Sequence, residues 1–201
     1  MRLPRSVIWV FVTVLLVLGY RPGFAADSDY LKGRLLVASA KMGDPRFYRS
    51  VIYLVDHDAK GAFGLIINKV YGRGSVANLM RGYDLDPKGA KGSINLHFGG
   101  PVRAKAAFIL HSGDYAGPRS RKVDGSISFT FDIGILSEFA TGKGPKRLLF
   151  ALGYAGWASG QLERELERGD WTIAEATQDL IFGEHYDDLW DRLGGFAALP
   201  L

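Results

Sequence analysis

The chain has 201 residues, of which 25 are basic, 21 are acidic and none is cysteine. The absence of cysteine excludes thiol catalysis, thiolate metal sites, iron–sulfur clusters and disulfide cross-links. The first 25 residues hold three arginines and no acid, so the remaining residues carry a net charge of only +1 (22 basic against 21 acidic). That balance gives no support to direct nucleic-acid binding, and we expect none.

The first 25 residues have the layout of a secretory signal peptide. Two arginines precede an apolar run of 12 residues at positions 7–18, and small residues follow it. The pattern predicts cleavage between Ala25 and Ala26. Because a spanning helix needs about 20 apolar residues, the run is short for a membrane anchor. We therefore expect export to the periplasm without membrane attachment after cleavage. The alternative is an uncleaved leader that anchors the chain.

The remaining segment, residues 26–201, is predicted to form one domain because its length suits a single hydrophobic core. The predicted strands are residues 33–39, 51–55, 62–68, 95–98, 106–111, 126–131, 147–153 and 171–174. The predicted helices are residues 76–80, 133–141, 157–168, 175–181 and 186–193. Strands and helices alternate irregularly, which favours an α+β fold over a doubly wound sheet.

The most informative segment is residues 151–163, where an apolar strand leads into a predicted glycine-spaced turn and then a helix. Gly153, Gly156 and Gly160 are small enough to let one backbone segment pass close to another. A turn of this kind before Trp157 also resembles an anion-binding helix start, although no Gly-x-Gly-x-x-Gly pattern is present. We expect the glycines to serve tight packing, with ligand binding as the alternative.

Two other segments carry residue types suited to catalysis. His57 lies between two aspartates in a predicted turn, and such a histidine can act as a general base or a metal ligand. His111 and Ser112 end a predicted strand, which suggests a serine nucleophile beside a base. Neighbouring strand residues point to opposite faces, however, and no nucleophile elbow surrounds Ser112. Structural roles are therefore favoured, with catalysis as the alternative.

Metal, cofactor and phosphate sites find little support in the sequence. The four histidines lie in four separate segments, at His57, His97, His111 and His185. Since none forms an i, i+4 pair, we predict no metal site and no cofactor. The charges at residues 163–168 predict a solvated helix face with i, i+3 ion pairs. The basic loop at residues 119–122 has no interleaved aromatic residues, so an exposed loop is favoured over a phosphate site.

Four blocks of the sequence resemble the YqgE/AlgH family. They are Gly33-Arg34-Leu35-Leu36-Val37-Ala38-Ser39 running on to Met42 and Asp44; residues 50–53 with 57–68; residues 98–102 with 109–112; and residues 142–145 with 151–163. Each block is weak alone, but the four occur in order across residues 31–195. The resemblance implies a single α+β domain with a split mixed or antiparallel sheet, a small barrel-like core and flanking helices.

The family is usually described as of uncertain function, and one branch is named as a regulator of alginate production. The resemblance therefore implies an interaction or regulatory module with an unidentified protein partner. Two features depart from the family pattern. Asn68-Lys69 is not followed by a nearby proline, and the leader is unusual because family members usually look cytosolic. A cytoplasmic location is the alternative to export.

A candidate ligand or partner surface follows from these segments. Its residues are His57, Asn68, His111, Ser112, Gly156, Trp157, Gln161 and Glu163. The alternative function is a hydrolase or a small-ligand-binding protein. It would use a cleft near His57, His111, Ser112 and the predicted turn at residues 153–160. Convergence of those three side chains in one cleft would favour catalysis, whereas separate, singly buried histidines would favour an interaction module.

Overall fold

The structure is a computed structural model that describes residues 30–194. The leader and the predicted cut between Ala25 and Ala26 lie outside the described residues. The strands are β1 (Arg34–Ala38), β2 (Val51–Asp58), β3 (Gly61–Ile66), β4 (Val70–Ser75), β5 (Ser93–Phe98), β6 (Val102–Ser112), β7 (Arg121–Lys122), β8 (Ile127–Thr130), β9 (Leu148–Ala158) and β10 (Trp171–Glu175). The helices are α1 (Val76–Gly82), α2 (Ile135–Ala140), α3 (Gln161–Glu167), α4 (Gln178–Phe182) and α5 (Leu189–Arg192).

One curled sheet organises the fold. Its main path runs β10-β1-β2-β3-β9-β6-β8-β7, and each neighbouring pair on this path is antiparallel. The long strand β9 shares one edge between two partners: β3 pairs with its last residues, and β5 runs parallel to residues 150–152. The sheet curls into a half barrel with a few short helices. This is the α+β class that the sequence predicts.

The first two strands are buried on both faces, as their continuous apolar sequences lead one to expect. Leu35 and Tyr53 pack inside the half barrel with Trp190 of α5. Leu36 and Ile52 pack on the opposite face in the cluster that contains Trp157 and Trp171. These two clusters share β1 and β2, and a third cluster packs α1 and α2 against β5, β6 and β9. The side with Trp157 and Trp171 carries the candidate site.

The segment at residues 153–160 is not the predicted turn. β9 continues to Ala158, so Gly156 and Trp157 lie in a strand, and α3 begins only at Gln161. The reason is tertiary: residues 155–158 pair with β3, and that ladder keeps the chain extended through its glycines. The expected close backbone approach occurs at Gly153. A Cβ added there would lie 2.2 Å from a backbone carbonyl oxygen, whereas at Gly156 the nearest atom belongs to a tyrosine side chain.

Other differences concern short elements. β2 continues through His57 to Asp58, so that histidine lies in a strand rather than in a turn. β4 was not predicted because two glycines interrupt its sequence, and glycine is depleted in strands. β10 extends to Glu175, and α4 therefore begins later than predicted, after the capping side chain of Thr177. The last predicted helix is reduced to the four residues of α5.

Candidate functional site

A cleft of about 500 Å³ lies where the end of β9, helix α3, the start of β10 and the loop after β1 meet. Three of the predicted site residues, Gly156, Trp157 and Gln161, line this cleft. Trp171 lies beside Trp157, with the ring centroids 6.0 Å apart in an edge-to-face arrangement. We call this site the tryptophan cleft. Three residues of the predicted candidate surface therefore lie in one cleft, in a strand and at a helix start rather than in the predicted turn.

Glu165 holds the floor of the tryptophan cleft together. Its Oε2 atom accepts the indole N–H of Trp157 at 2.7 Å and that of Trp171 at 2.9 Å. Its Oε1 atom accepts the side-chain amide of Gln161 at 2.9 Å, and Gln161 in turn accepts the backbone N–H of Ala158. A buried indole N–H needs an acceptor, and one carboxylate serves both. The i, i+3 ion pairs predicted for residues 163–168 therefore do not include Glu165, because its carboxylate accepts the indole N–H groups and Arg168 pairs with Asp170.

The loop after β1 forms the opposite wall. Asp44 accepts the backbone N–H of Arg46 and three hydrogen bonds from its guanidinium, the shortest at 2.6 Å. That hydrogen bonding by Arg46 lowers the pKa of the Asp44 carboxyl. Lys69 donates to the Arg46 carbonyl at 2.9 Å, and the Phe47 ring meets the edge of Trp171 at 5.7 Å between centroids. The loop is thus fixed at both its polar and its apolar residues.

The rim of the cleft carries charges of both signs. Arg168 pairs with Asp170 at 2.6 Å on one side, and the Asp44–Arg46 pair lies on the other. In both pairs the arginine is exposed and the aspartate is half-buried. Such pairs contribute little to stability but give the rim a defined pattern of donors and acceptors. The floor is aromatic and the rim is polar.

His57 lies close to Glu163, another predicted site residue, but both serve as a structural brace. The Nδ1 atom of His57 accepts the backbone N–H of Leu31 at 2.9 Å, so this nitrogen must carry a lone pair. The Nε2 atom lies 3.0 Å from Glu163 Oε1 and donates to it. Both ring nitrogens are occupied and the side chain is buried. The carboxylate of Glu163 has a lowered pKa because its own backbone N–H, and then His57, stabilise the ionised form.

The pair His111 and Ser112 does not form a nucleophile and a base. His111 donates from Nδ1 to the Ser112 carbonyl oxygen at 2.9 Å, and its Nε2 accepts the Ser120 hydroxyl at 2.8 Å. The Ser112 hydroxyl instead donates to Asp114 at 2.5 Å and accepts the backbone N–H of Arg147. Burial lowers the pKa of His111, which keeps the ring neutral. The hydroxyl proton therefore has no histidine acceptor.

Asn68 is also committed to the backbone. Its Oδ1 accepts the N–H of Val51 at 2.8 Å, and its Nδ2 donates to the carbonyl of Arg49 at 2.9 Å. The amide thereby closes the turn that leads into β2. Arg49 has φ +53°, an uncommon conformation for a non-glycine residue, and this clamp fixes the backbone on its C-terminal side.

The predicted catalytic side chains do not share a cleft. His57 is opposite Ala62, which pairs with Trp157 near the end of β9, whereas His111 pairs with Leu148 at its start. Nine residues of extended strand span about 30 Å, so the two histidines lie at opposite ends of β9. The hydrolase arrangement around His57, His111 and Ser112 is therefore not assembled in residues 30–194.

His97 is the most perturbed histidine. It lies in β5 beside a smaller cavity, is 2% exposed, and its Nδ1 atom has no hydrogen-bond partner among the described residues. Burial lowers its pKa to about 4, although a contact with the Ile67 backbone opposes this shift. Within residues 30–194 no group of three or more His, Asp or Glu side chains is placed to hold a metal ion. No helix in that range is long and apolar enough to cross a membrane.

Comparison with known proteins gives one consistent family. The family model described as AlgH-like matches residues 35–196. A UPF0301 protein of Methylococcus capsulatus is 43% identical over 169 residues, which cover 84% of this chain and 92% of the relative. A UPF0301 protein of Jannaschia is 44% identical, covering 80% of this chain and 85% of the relative. None of these names states a reaction, a ligand or a partner.

Two solved structures have the same fold. The solution structure of the AlgH protein from Pseudomonas aeruginosa has a TM-score of 0.71 at 30% identity, covering 87% of this chain and 93% of that one. The crystal structure of a Corynebacterium diphtheriae protein has a TM-score of 0.65 at 22% identity, covering 81% of this chain and 85% of that one. The second similarity shows the fold alone.

Proposed function

The chain belongs to the AlgH-like family, and from that premise we propose that it is an interaction module that regulates by binding a partner protein in the tryptophan cleft. The partner is bound without covalent chemistry. It offers an apolar or aromatic side chain to the floor and polar groups of both signs to the rim. The single observation that carries the proposal is the composition of this lining.

The residues of the cleft are those that protein interfaces favour. Tryptophan, tyrosine and arginine dominate binding energy at interfaces, and methionine and aromatic residues are enriched there. The tryptophan cleft combines Trp157 and Trp171 with Phe47, Met42 and Arg46. Its volume of about 500 Å³ lies within the usual range for ligand pockets. This lining supports a short segment of a protein as the occupant.

The rim supports the same class of partner. The fixed pairs Asp44–Arg46 and Arg168–Asp170 present both signs of charge, which suits a polypeptide better than a uniformly charged nucleic acid. The net charge of +1 after the leader points the same way. We therefore propose a protein partner and no direct nucleic-acid binding.

The proposal includes a location outside the cytoplasm, supported by the signal-like composition of residues 1–25. It also includes a split sheet around a small barrel-like core as the architectural unit. The shared edge of β9, with β3 along one part and β5 along another, supports that split. The rigid sheet would hold the floor of the tryptophan cleft still while the loop after β1 contacts the partner.

A co-purification experiment tests the proposal with a variant that blocks the cleft. Gly43 lines the cleft, is exposed, and has open space where a Cβ would stand. Gly125 is equally open but lies in the turn before β8, away from the cleft. The full-length tagged chain is recovered from its native compartment as wild type, Gly43→Trp and Gly125→Trp.

We expect one partner protein to be enriched with the wild type and with Gly125→Trp, and to fall at least tenfold with Gly43→Trp. Equal recovery with all three chains would contradict binding in the cleft. Circular dichroism and thermal unfolding of the purified variants check that both retain the fold.

A further inference from the structure

A second concave site lies on the other face of the sheet, beside the core cluster that contains Leu35 and Tyr53. Five aromatic rings form it: Phe63, Phe108, Phe129, Phe131 and Tyr154. They come from β3, β6, β8 with the residue after it, and β9, which are neighbours in the sheet. The site has a volume of about 240 Å³. We call it the aromatic cleft.

The rings leave aromatic surface open to solvent. Phe131 is 61% exposed, and its ring meets the edge of Phe129 at 5.3 Å between centroids. Phe63 and Tyr154 are half-buried, with their centroids 4.9 Å apart. The aromatic surface therefore continues from the buried core to solvent. A flat ring can stack there against faces and edges that are already fixed.

Two arginines line the same site. Arg121 stands over the Phe129 ring, with its guanidinium carbon 5.7 Å from the centroid, and Arg103 lines another part of the cleft. Asp56 is the single acidic residue of the lining, so the local charge is positive. Within residues 30–194, Arg103 has no ion-pair or hydrogen-bond partner for its guanidinium. An anionic group on a ligand would supply that partner.

Arg103 and Asp56 lie at shifts in the strand register of the sheet. The β6–β9 register shifts between Val102 and Ala107, and Arg103 in this bulge has φ +49°. The β2–β3 register shifts between Leu54 and Asp56. Bulges redirect side chains and are over-represented next to binding sites. Positive φ in a non-glycine residue costs free energy and clusters at functional positions. Two such features flank one small cleft.

From these features we infer that the aromatic cleft binds a small aromatic anion: one or two fused rings carrying a carboxylate or a phosphate. The ring stacks among Phe63, Phe131 and Tyr154. The anionic group pairs with Arg103 and Arg121. The volume is below that of most drug-sized pockets, so the ligand is small. The basic loop at residues 119–122, which lacks aromatic neighbours in sequence, acquires them in space because Arg121 pairs with Phe129 across β7 and β8.

The test measures binding of defined probes to the purified chain by protein-detected NMR titration. The probes are 2-naphthoate (ring and anion), 2-naphthylmethanol (ring alone), acetate (anion alone) and AMP (ring with a phosphate one sugar away). We expect 2-naphthoate or AMP to bind at least about fivefold more tightly than 2-naphthylmethanol, since charge-assisted bonds add to stacking. Acetate should show no saturable binding. The tighter of the two anions identifies the ligand as an aromatic acid or a nucleotide.

Single-residue variants then test whether the probes bind in the aromatic cleft. Arg103→Gln should weaken binding of the anionic probe by about three- to tenfold and leave 2-naphthylmethanol unchanged, whereas Phe131→Ala should weaken both. Lys105→Gln is the matched control, because Lys105 is exposed on the same strand and does not line the cleft. Equal affinity of charged and neutral probes, an unchanged affinity in Arg103→Gln, or amide shifts confined to other surfaces would overturn the proposal. None of these results bears on the tryptophan cleft, which lies on the opposite face.

Discussion

Glu165 and Trp171 are joined by a hydrogen bond of 2.9 Å from the indole N–H to the carboxylate, and the same oxygen accepts the indole N–H of Trp157 at 2.7 Å. One side chain on α3 therefore ties together the end of β9 and the start of β10. The floor of the tryptophan cleft depends on that carboxylate. Its loss would leave two largely buried N–H groups without an acceptor.

We predict that Glu165→Ala lowers the free energy of unfolding by about 2–4 kcal/mol, because each buried donor left unpaired costs about 1–3 kcal/mol. Glu167→Ala is the matched control on the same helix. It is exposed and should change stability by less than about 0.5 kcal/mol. Urea denaturation of the three proteins gives the comparison. Equal midpoints for both variants would show that Glu165 does not hold the floor.

A second prediction concerns the glycines of β9. Gly153 has φ +74°, and an added Cβ would meet the Gly100 carbonyl oxygen at 2.2 Å. Gly153→Ala should therefore destabilise the fold by about 2–4 kcal/mol or prevent folding, because neither backbone segment can move aside. At Gly156 the nearest atom is the Tyr154 ring edge at 2.9 Å, which can turn away. Gly156→Ala should cost less than half as much.

Guanidinium chloride melts of these two alanine variants provide the measurement. A larger loss of unfolding free energy in Gly156→Ala than in Gly153→Ala would contradict a close backbone contact at Gly153.

A third prediction concerns pH. Burial holds the pKa of His97 at about 4, below its unfolded value of 6.5. As the pH falls below 6.5, His97 therefore binds a proton in the unfolded chain but stays neutral in the folded chain. The resulting stability is complete above pH 6.5, is lost as the pH falls towards 4, and changes no further below that. The slope approaches 1.4 kcal/mol per pH unit.

Unfolding free energies at pH 7 and pH 5 test this for the wild type and for His97→Gln. The wild type should lose roughly 2 kcal/mol more than the variant over this interval. Burial lowers the pKa of His111 too, so part of the pH dependence should remain in the variant. Identical losses in both proteins would contradict a neutral, buried His97.

The sequence predicts the interior strands well because their apolar residues are continuous. β1, β2 and β3 lie close to their predicted positions, since both faces are covered and few polar residues interrupt them. β9 is different. Its glycines predict a turn, whereas pairing of residues 155–158 with β3 keeps the segment extended. A ladder partner that is distant in sequence leaves no local signal.

The candidate sites likewise depend on contacts between residues that are distant in sequence. The sequence predicts Trp157 and Gln161 as candidate surface residues but not Glu165, because its two indole donors lie before and after α3 and meet it only in the folded chain. A buried indole needs an acceptor, and an acidic helix between two tryptophans was the one available signal. The aromatic cleft gave no sequence signal, since Phe63, Phe108, Phe129 and Tyr154 belong to four different strands.

A fourth prediction concerns the leader. Intact-mass measurement of the native protein should show a chain that begins at Ala26, because the apolar run and the small residues before the cut fit signal-peptidase processing. A mass that includes residues 1–25 would contradict the exported, soluble form. It would leave the two clefts unaffected, since both lie within residues 30–194.

Site-specific photo-crosslinking tests the central claim most directly. A photoreactive amino acid is placed at Lys41, an exposed residue that lines the tryptophan cleft, and at Arg81, an exposed residue on α1 that does not. Illumination in the native compartment should give one discrete adduct with a partner protein from position 41 and none from position 81. Gly43→Trp in the same chain should abolish that adduct. An adduct that persists in the presence of Gly43→Trp, or that forms equally from position 81, would contradict partner binding in the tryptophan cleft.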